Sequence, residues 1–460
     1  MSGAGGDGSS DAGARALGTL VDDPLDEALL ERAGEELSRR GADNWEVFAA
    51  YGRSTAVAAR SEGRIEASLS DGAGLGLRVL VGGRPGFAFA GSLSWAAVQA
   101  ACGLCIESAQ LMEVDEHVSF AERSLDDTRP LDVYHAELLQ LSLEEQVEIA
   151  RALAIDAARQ AQVEALYLDN SVYFERLVTS AGARFSARST TQTYEACMLA
   201  GAGGDRGRGH SYGISSRALD LAALTREASQ QANAMVDAGP VASGRYDVVL
   251  APAIVEDLLS DLCYALSGYE ALAGRTMFAE LVGERVGSDL IDLVDDPLDP
   301  RLGFARYDHE GTPHQKVALI SGGVLQTLLY DRSTASRAGV ANTAHAERGS
   351  YESPPTPGVS ALRLAPGDRS VDELLAEMGD GLHLVDTTDV EIDASSGELS
   401  AGASGFVVRH GQRAEPLDGI VLSASIVDLL CSVRAVGSDL RYSGFATPSL
   451  LVEGLEVAGT

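Results

Sequence analysis

The chain has 460 residues, enough for two or three subdomains that bury a sizeable core without covalent staples. Its 68 Asp and Glu outnumber 35 Lys and Arg, and the net charge of −33 argues against partners such as nucleic acid or an anionic membrane surface. Five cysteines do not make a disulfide scaffold, and no apolar run is long enough to span a bilayer.

Met1 to Leu20 lacks a basic stretch followed by an apolar one, so a cytoplasmic protein is expected. Residues 1–19 are small and polar and are expected to be disordered. Leu29, Leu30, Ala33 and Leu37 then predict an amphipathic helix over Asp26–Arg40, closed by Gly41. Trp45–Ala59 predicts a strand. From Asp71 the chain predicts a hairpin: Leu75, Leu77, Val79 and Val81 alternate, and Gly82-Gly83 is the turn. Gly72, Gly74 and Gly76 open a strand here, not a helix, so they do not make a phosphate loop. Trp95–Gln110 predicts a helix with Cys102 and Cys105 on its buried face. No second CxxC completes a metal site.

Leu141–Arg159 predicts a helix. Val163–Gly201 predicts strands broken by turns at Asp169-Asn170 and Ala181-Gly182, and Leu219–Asp237 a further helix. Gly239-Pro240 and Ser243-Gly244 mark a boundary. Beyond it come a buried strand from Tyr246, a helix over Ile254–Leu272, and short apolar runs separated by Gly, Asp and Pro. The expected class is α+β. Residues 20–240 form an N-terminal domain of helices and antiparallel sheet, and residues 241–460 a β-rich C-terminal domain.

Three side-chain groups are candidates for chemistry. His309-Glu310-Gly311-Thr312-Pro313-His314 spells HExxxH, but Gly311 and Pro313 break the helix on which two imidazoles would share a face. A solvated loop is expected there. Asp289, Asp292, Asp295, Asp296 and Asp299 lack the spacing of a calcium loop and are expected on a solvated face. His345 and His383 stand alone, and His210 falls in a Gly/Arg-rich loop. No serine or cysteine has the context of an activated nucleophile.

Several ordered segments carry a family resemblance. They are Gly74-Leu75-Gly76-Leu77-Arg78, Tyr246-Asp247-Val248-Val249-Leu250, Gly283-Glu284-Arg285-Val286, Glu310-Gly311-Thr312-Pro313, Leu329-Tyr330-Asp331-Arg332, Gly397-Glu398-Leu399-Ser400 and Thr447-Pro448-Ser449-Leu450-Leu451. Together they resemble the TldD/TldE family, also called PmbA or modulator of DNA gyrase. The resemblance implies a TldD–TldE heterodimer enclosing a peptide chamber, with zinc on a helical HExxxH of the TldD branch. At the matching helix this chain has Ser260, Asp261 and Ala265 in place of His, Glu and His. It is therefore expected to be of the TldE/PmbA branch, with no catalytic, cofactor or metal site of its own. The zinc is expected in a TldD-like partner subunit, and unfolded or precursor peptides are the implied substrates. A stand-alone homodimer that binds peptides or regulates is the second reading.

Overall fold

The computed structural model describes residues 23–122, 131–202, 205–303 and 305–459. The segment expected to be disordered, 1–19, lies outside them. Residues 44–215 build one six-stranded antiparallel sheet from unusually long strands: β1 (Asn44–Arg60), β2 (Ile65–Val81), β3 (Arg84–Ala90), β4 (Gln162–Thr179), β5 (Arg184–Ala202) and β6 (Asp205–Ser215), in the order β3-β2-β1-β4-β5-β6. The β2–β3 hairpin turns at Gly82 and Gly83, both at positive φ, as the glycine pair predicts.

Period-two alternation gives this sheet two unlike faces. Leu166, Leu168, Val172 and Phe174 of β4 and Tyr194, Ala196 and Met198 of β5 are buried. They pack with helices α1 (Glu27–Arg39), α2 (Trp95–Gln110), α3 (Leu143–Ala157) and α4 (Leu221–Ala234) into two apolar clusters. Burying each large aliphatic there contributes about 1.5–3 kcal/mol. Cys102 and Cys105 lie in that core as expected. Helix α3 begins with a capping box between Ser142 and Glu145. The opposite face carries Asp169, Ser171, Tyr173 and Glu175 on β4 and Ser189, Thr191, Thr193 and Glu195 on β5. It is polar and turned toward the second half of the chain.

That second half holds a curled sheet of β7 (Gly244–Leu250), β8 (Gly381–Ile392), β9 (Glu398–Arg409), β10 (Gln412–Ser425), β11 (Val433–Val436) and β12 (Leu450–Ala458), in the order β10-β9-β8-β7-β12-β11. Val421–Ser423 of β10 also pairs with Glu456–Ala458 of β12, so five of these strands close into a barrel with no free edge between them. Only the β7–β8 pairing is parallel within it. Helices α5 (Pro252–Ala265), α6 (Gly268–Leu272), α7 (Arg332–Ala338), α8 (Val371–Met378) and α9 (Ile426–Cys431) accompany it. A second sheet of short strands runs through 293–295, 317–321, 324–325, 362–364, 441–442 and 446–447. The fold is α+β with a β-rich second half. Among the described residues no helix is long and apolar enough to cross a membrane.

Four expectations are corrected. Asp169-Asn170 is no turn: β4 runs straight through it, because Asn170 is buried and its Oδ1 accepts from Gln192 Nε2 of the neighbouring strand at 2.8 Å. The helix over 254–272 breaks after Ala265. Ser267 caps α6, and Gly268 lies so close to the Tyr330 ring that a Cβ would sit 2.3 Å from it. Asp295 is not on a solvated face: it is fully buried, and its two oxygens accept from the backbone N–H groups of Ala361 and Ser360 at 2.8 and 2.9 Å. Nor is 308–314 a solvated loop, since Asp308 and Glu310 are both buried.

Candidate functional site

A cavity of about 840 Å³ opens between the polar face of the first sheet and the barrel. Helix α5 forms one wall. It starts at Pro252, whose missing N–H suits the first helical turn. Glu256, Asp257 and Ser260 face the cavity at the spacing of one helical face. Glu256 accepts from the backbone N–H of Gly444 at 2.6 Å and from that of Phe445 at 3.3 Å, and from the Ser443 hydroxyl. Burial nevertheless pushes its carboxyl above the usual range. Asp257 accepts from the Thr387 hydroxyl of β8.

The three residues singled out on α5 do not converge. Ser260 faces the cavity, Asp261 spends a carboxylate oxygen on the backbone N–H of Ile392, and Ala265 is packed into the core. A methyl group offers no ligand atom, and the Asp261 oxygen is already engaged. This helix does not fit a zinc ion.

The facing wall is the edge of the first sheet. Glu195 and Cys197 lie two apart on β5 and so share a face. His210 of β6 is the direct cross-strand partner of Cys197. His210 Nε2 is 3.2 Å from Glu195 Oε1, and Cys197 Sγ is 3.4 Å from the same oxygen. The hydrogen bond to Glu195 raises the His210 pKa, and the same bond lowers that of Glu195. Burial and the Glu195 charge push the Cys197 thiol up to about 12. Asp386 of β8 stands on the far side of the ring, 4.0 Å from Nδ1.

His210 is not in a loop, as the sequence suggests. Gly207 and Gly209 alternate with Arg208 and His210 because α4 packs directly on β6: a Cβ at Gly209 would lie 2.0 Å from the Ala228 carbonyl oxygen, and one at Gly207 2.1 Å from that of Ala232. The glycines take the helix side and leave His210 on the cavity side. That period-two pattern of Gly207, Gly209, Ser211 and Gly213 was the available signal for a strand. Arg441 fastens the two halves together at this place, donating to Glu227 at 2.7 Å and to the Tyr212 carbonyl at 3.0 Å.

A second cavity of about 400 Å³ lies further along the same polar face and contains His309 and His314 of the HExxxH segment. His309 Nδ1 accepts the Arg348 backbone N–H at 2.8 Å, and its Nε2 is 3.3 Å from Glu175. Burial depresses His314 to about 4, so it is neutral near neutrality. His314 Nδ1 is taken up by the Ala344 carbonyl at 2.7 Å. Glu310 is turned away from both histidines, bonded to Arg78 and to the Arg332 backbone. The motif letters therefore do not form a motif in space.

Three adjoining segments match models of one metallopeptidase family: residues 45–109 its domain 1, 136–236 its central domain, and 243–459 its C-terminal domain, each described as PmbA/TldA metallopeptidase. The chain belongs to the PmbA/TldD family. A metalloprotease of Methanothermobacter thermautotrophicus is 30% identical over 233 residues, covering 50% of this chain and 51% of that protein, so the match spans about half the length of that relative. Metalloprotease PmbA of Escherichia coli O157:H7 is 25% identical over 402 residues, covering 85% of this chain and 86% of its own. The crystal structure of TldE from Thermococcus kodakarensis superposes with a TM-score of 0.85 at 20% identity, over 94% of this chain and 100% of that one, and shares the fold.

Proposed function

We propose that this chain is the non-catalytic, TldE/PmbA-type subunit of a two-component metallopeptidase, working with a TldD-like subunit that carries the zinc. The observation that supports this most is α5. A catalytic helix needs two imidazoles for the metal and a carboxylate as general base. Here those positions hold a serine, an aspartate bonded to the backbone of Ile392, and a buried alanine. The chain contributes a chamber wall in place of a metal on that helix. Excluding bulk water strengthens the electrostatics of the partner's site. Unfolded or precursor peptides are the proposed substrates, since extended chain can enter a chamber that folded protein cannot.

The test mixes this chain, a TldD-like sibling with an intact helical HExxxH, and an unstructured peptide. Cleavage is expected only when both chains are present, and a chelator is expected to abolish it. Full activity of the sibling alone, unchanged on adding this chain, would favour the stand-alone peptide-binding reading. Cleavage by this chain alone, whether or not a chelator stops it, would overturn the non-catalytic role.

A further inference from the structure

The geometry points to a divalent metal site built by Glu195, Cys197 and His210 on the sheet wall of the large cavity, a ligand set separate from helix α5. One ligand atom from each residue lies within 4.8 Å of the other two. A tetrahedral zinc ion with ordinary bond lengths would separate nitrogen and oxygen ligands by about 3.4 Å, and sulfur and oxygen ligands by about 3.6 Å. The observed separations are 3.2 Å for His210 Nε2 to Glu195 Oε1 and 3.4 Å for Cys197 Sγ to the same oxygen. These two separations are each within about 0.2 Å of what such an ion sets, and the third, between Cys197 Sγ and a His210 ring nitrogen, is within 4.8 Å, so closing the thiol and the ring toward each other admits an ion. Two adjacent strands hold the set: Glu195 and Cys197 sit on one pleat face, and the register places His210 opposite Cys197. A plain His–Glu ion pair needs no thiol, yet Cys197 is turned to the same carboxylate oxygen.

Asp386 supplies a second, independent indication. It stands 4.0 Å from Nδ1, the ring nitrogen other than the one at Glu195. That distance is too long for a hydrogen bond, but a carboxylate on this side of the ring favours the proton on Nδ1, and a small ring rotation would complete the outer arrangement usual at histidine-bound zinc. Thiolate, imidazole and carboxylate together favour zinc or a similar borderline ion over calcium or magnesium. Glu195 and His210 also line the cavity, so the fourth position opens to it. Three protein ligands with an open fourth is the pattern that admits water or a carbonyl oxygen. This inference does not depend on the partnership proposed above: the two are tested by different measurements.

The probe is cobalt(II) added to the full chain after chelator dialysis, read by its thiolate-to-metal charge-transfer band. About one cobalt per chain is expected, with the band displaced by zinc. Cys197→Ser should abolish the band. Asp386→Asn should keep the band and the stoichiometry and weaken binding by no more than about tenfold, the low end for outer-shell variants, because Asp386 makes no direct hydrogen bond to the ring. Ser260→Ala should change nothing. Should Cys197→Ser fail to fold, Glu195→Gln with the wild-type band provides the check: a tenfold or greater loss of affinity is expected. The site is overturned if the wild-type chain gives no charge-transfer band, if the band survives Cys197→Ser, or if cobalt affinity is unmoved by Glu195→Gln.

Discussion

Arg78 Nη1 lies 3.0 Å from Glu310 Oε1, joining residues 232 positions apart. Arg78 belongs to β2 and Glu310 to the segment behind the smaller cavity, so this bond fastens the first sheet to the second half of the chain. Glu46 of β1 sits on the same guanidinium at 3.3 Å and also pairs with Arg348. All four side chains are buried or nearly so.

Removing Arg78 leaves the buried Glu310 carboxylate without its ion-pair partner and Glu46 with Arg348 alone. Arg78→Ala is therefore expected to destabilise the protein by about 3–5 kcal/mol. Urea unfolding would measure it. A loss below about 1 kcal/mol would show that the cluster contributes nothing to holding the halves together.

The glycines of β2 make a sharper pair of predictions. A Cβ at Gly76 would lie 2.6 Å from the Tyr351 carbonyl oxygen, whereas one at Gly72 meets nothing within 4 Å. Gly76→Ala should cost about 1–3 kcal/mol by forcing the backbone of the 351 segment away. Gly72→Ala should be neutral or stabilising by up to about 1 kcal/mol, because alanine suits a strand better than glycine. Melting curves of the two variants should separate in that order.

His383 is 2% exposed and receives the Arg413 Nε–H on Nδ1 at 2.8 Å. Burial, reinforced by the Arg413 charge, lowers it from 6.5 to about 3. As pH falls below 6.5 the unfolded chain takes up a proton that the folded chain refuses until about 3. The neutral imidazole thus contributes stability that is present above pH 6.5 and lost as pH falls through that window. His383→Gln keeps an acceptor for Arg413 without the proton site. Its stability should fall less steeply with acid than that of wild type, by about 1.4 kcal/mol per pH unit inside the window. Parallel acid limbs in chemical denaturation would contradict this.

Restoring the family letters on α5 should not restore a site there. In Ser260→His with Asp261→Glu and Ala265→His, the last imidazole enters a position that is 1% exposed. Overpacking and a buried polar ring are expected to cost at least about 1–3 kcal/mol. Metal content should not rise above that of the unmodified chain. One additional tightly held zinc per chain, with unchanged melting, would show that the helix can turn that position outward.

Elements governed by neighbours in sequence were legible. The β2–β3 hairpin follows from alternation and Gly82-Gly83, and α3 begins where Ser142 and Glu145 can cap each other. Features governed by distant partners were not. Asn170 reads as a turn residue until Gln192 on the next strand donates a hydrogen bond to its Oδ1. Asp295 reads as a surface acid until Ala361 and Ser360 supply their N–H groups. His210 reads as a loop residue because its glycine neighbours look like loop formers, while their real cause is the backbone of α4 pressed against them. Glu195 and Cys197 carry no motif at all. Only the strand register brings them to His210.

The closure of the barrel has a consequence for how the chain is made. Strand β7 is the first of the barrel to leave the ribosome, yet its partners are Leu382–Leu384 on one side and Leu450–Val457 on the other. Until those segments emerge, Val248, Val249 and Leu250 have nowhere to bury themselves. The sheet of residues 44–215 needs no such wait, since every one of its pairings lies within its own span. Synthesis therefore passes through a long interval with a finished first sheet and an apolar, unpaired β7, the kind of exposed strand that aggregates or recruits a chaperone.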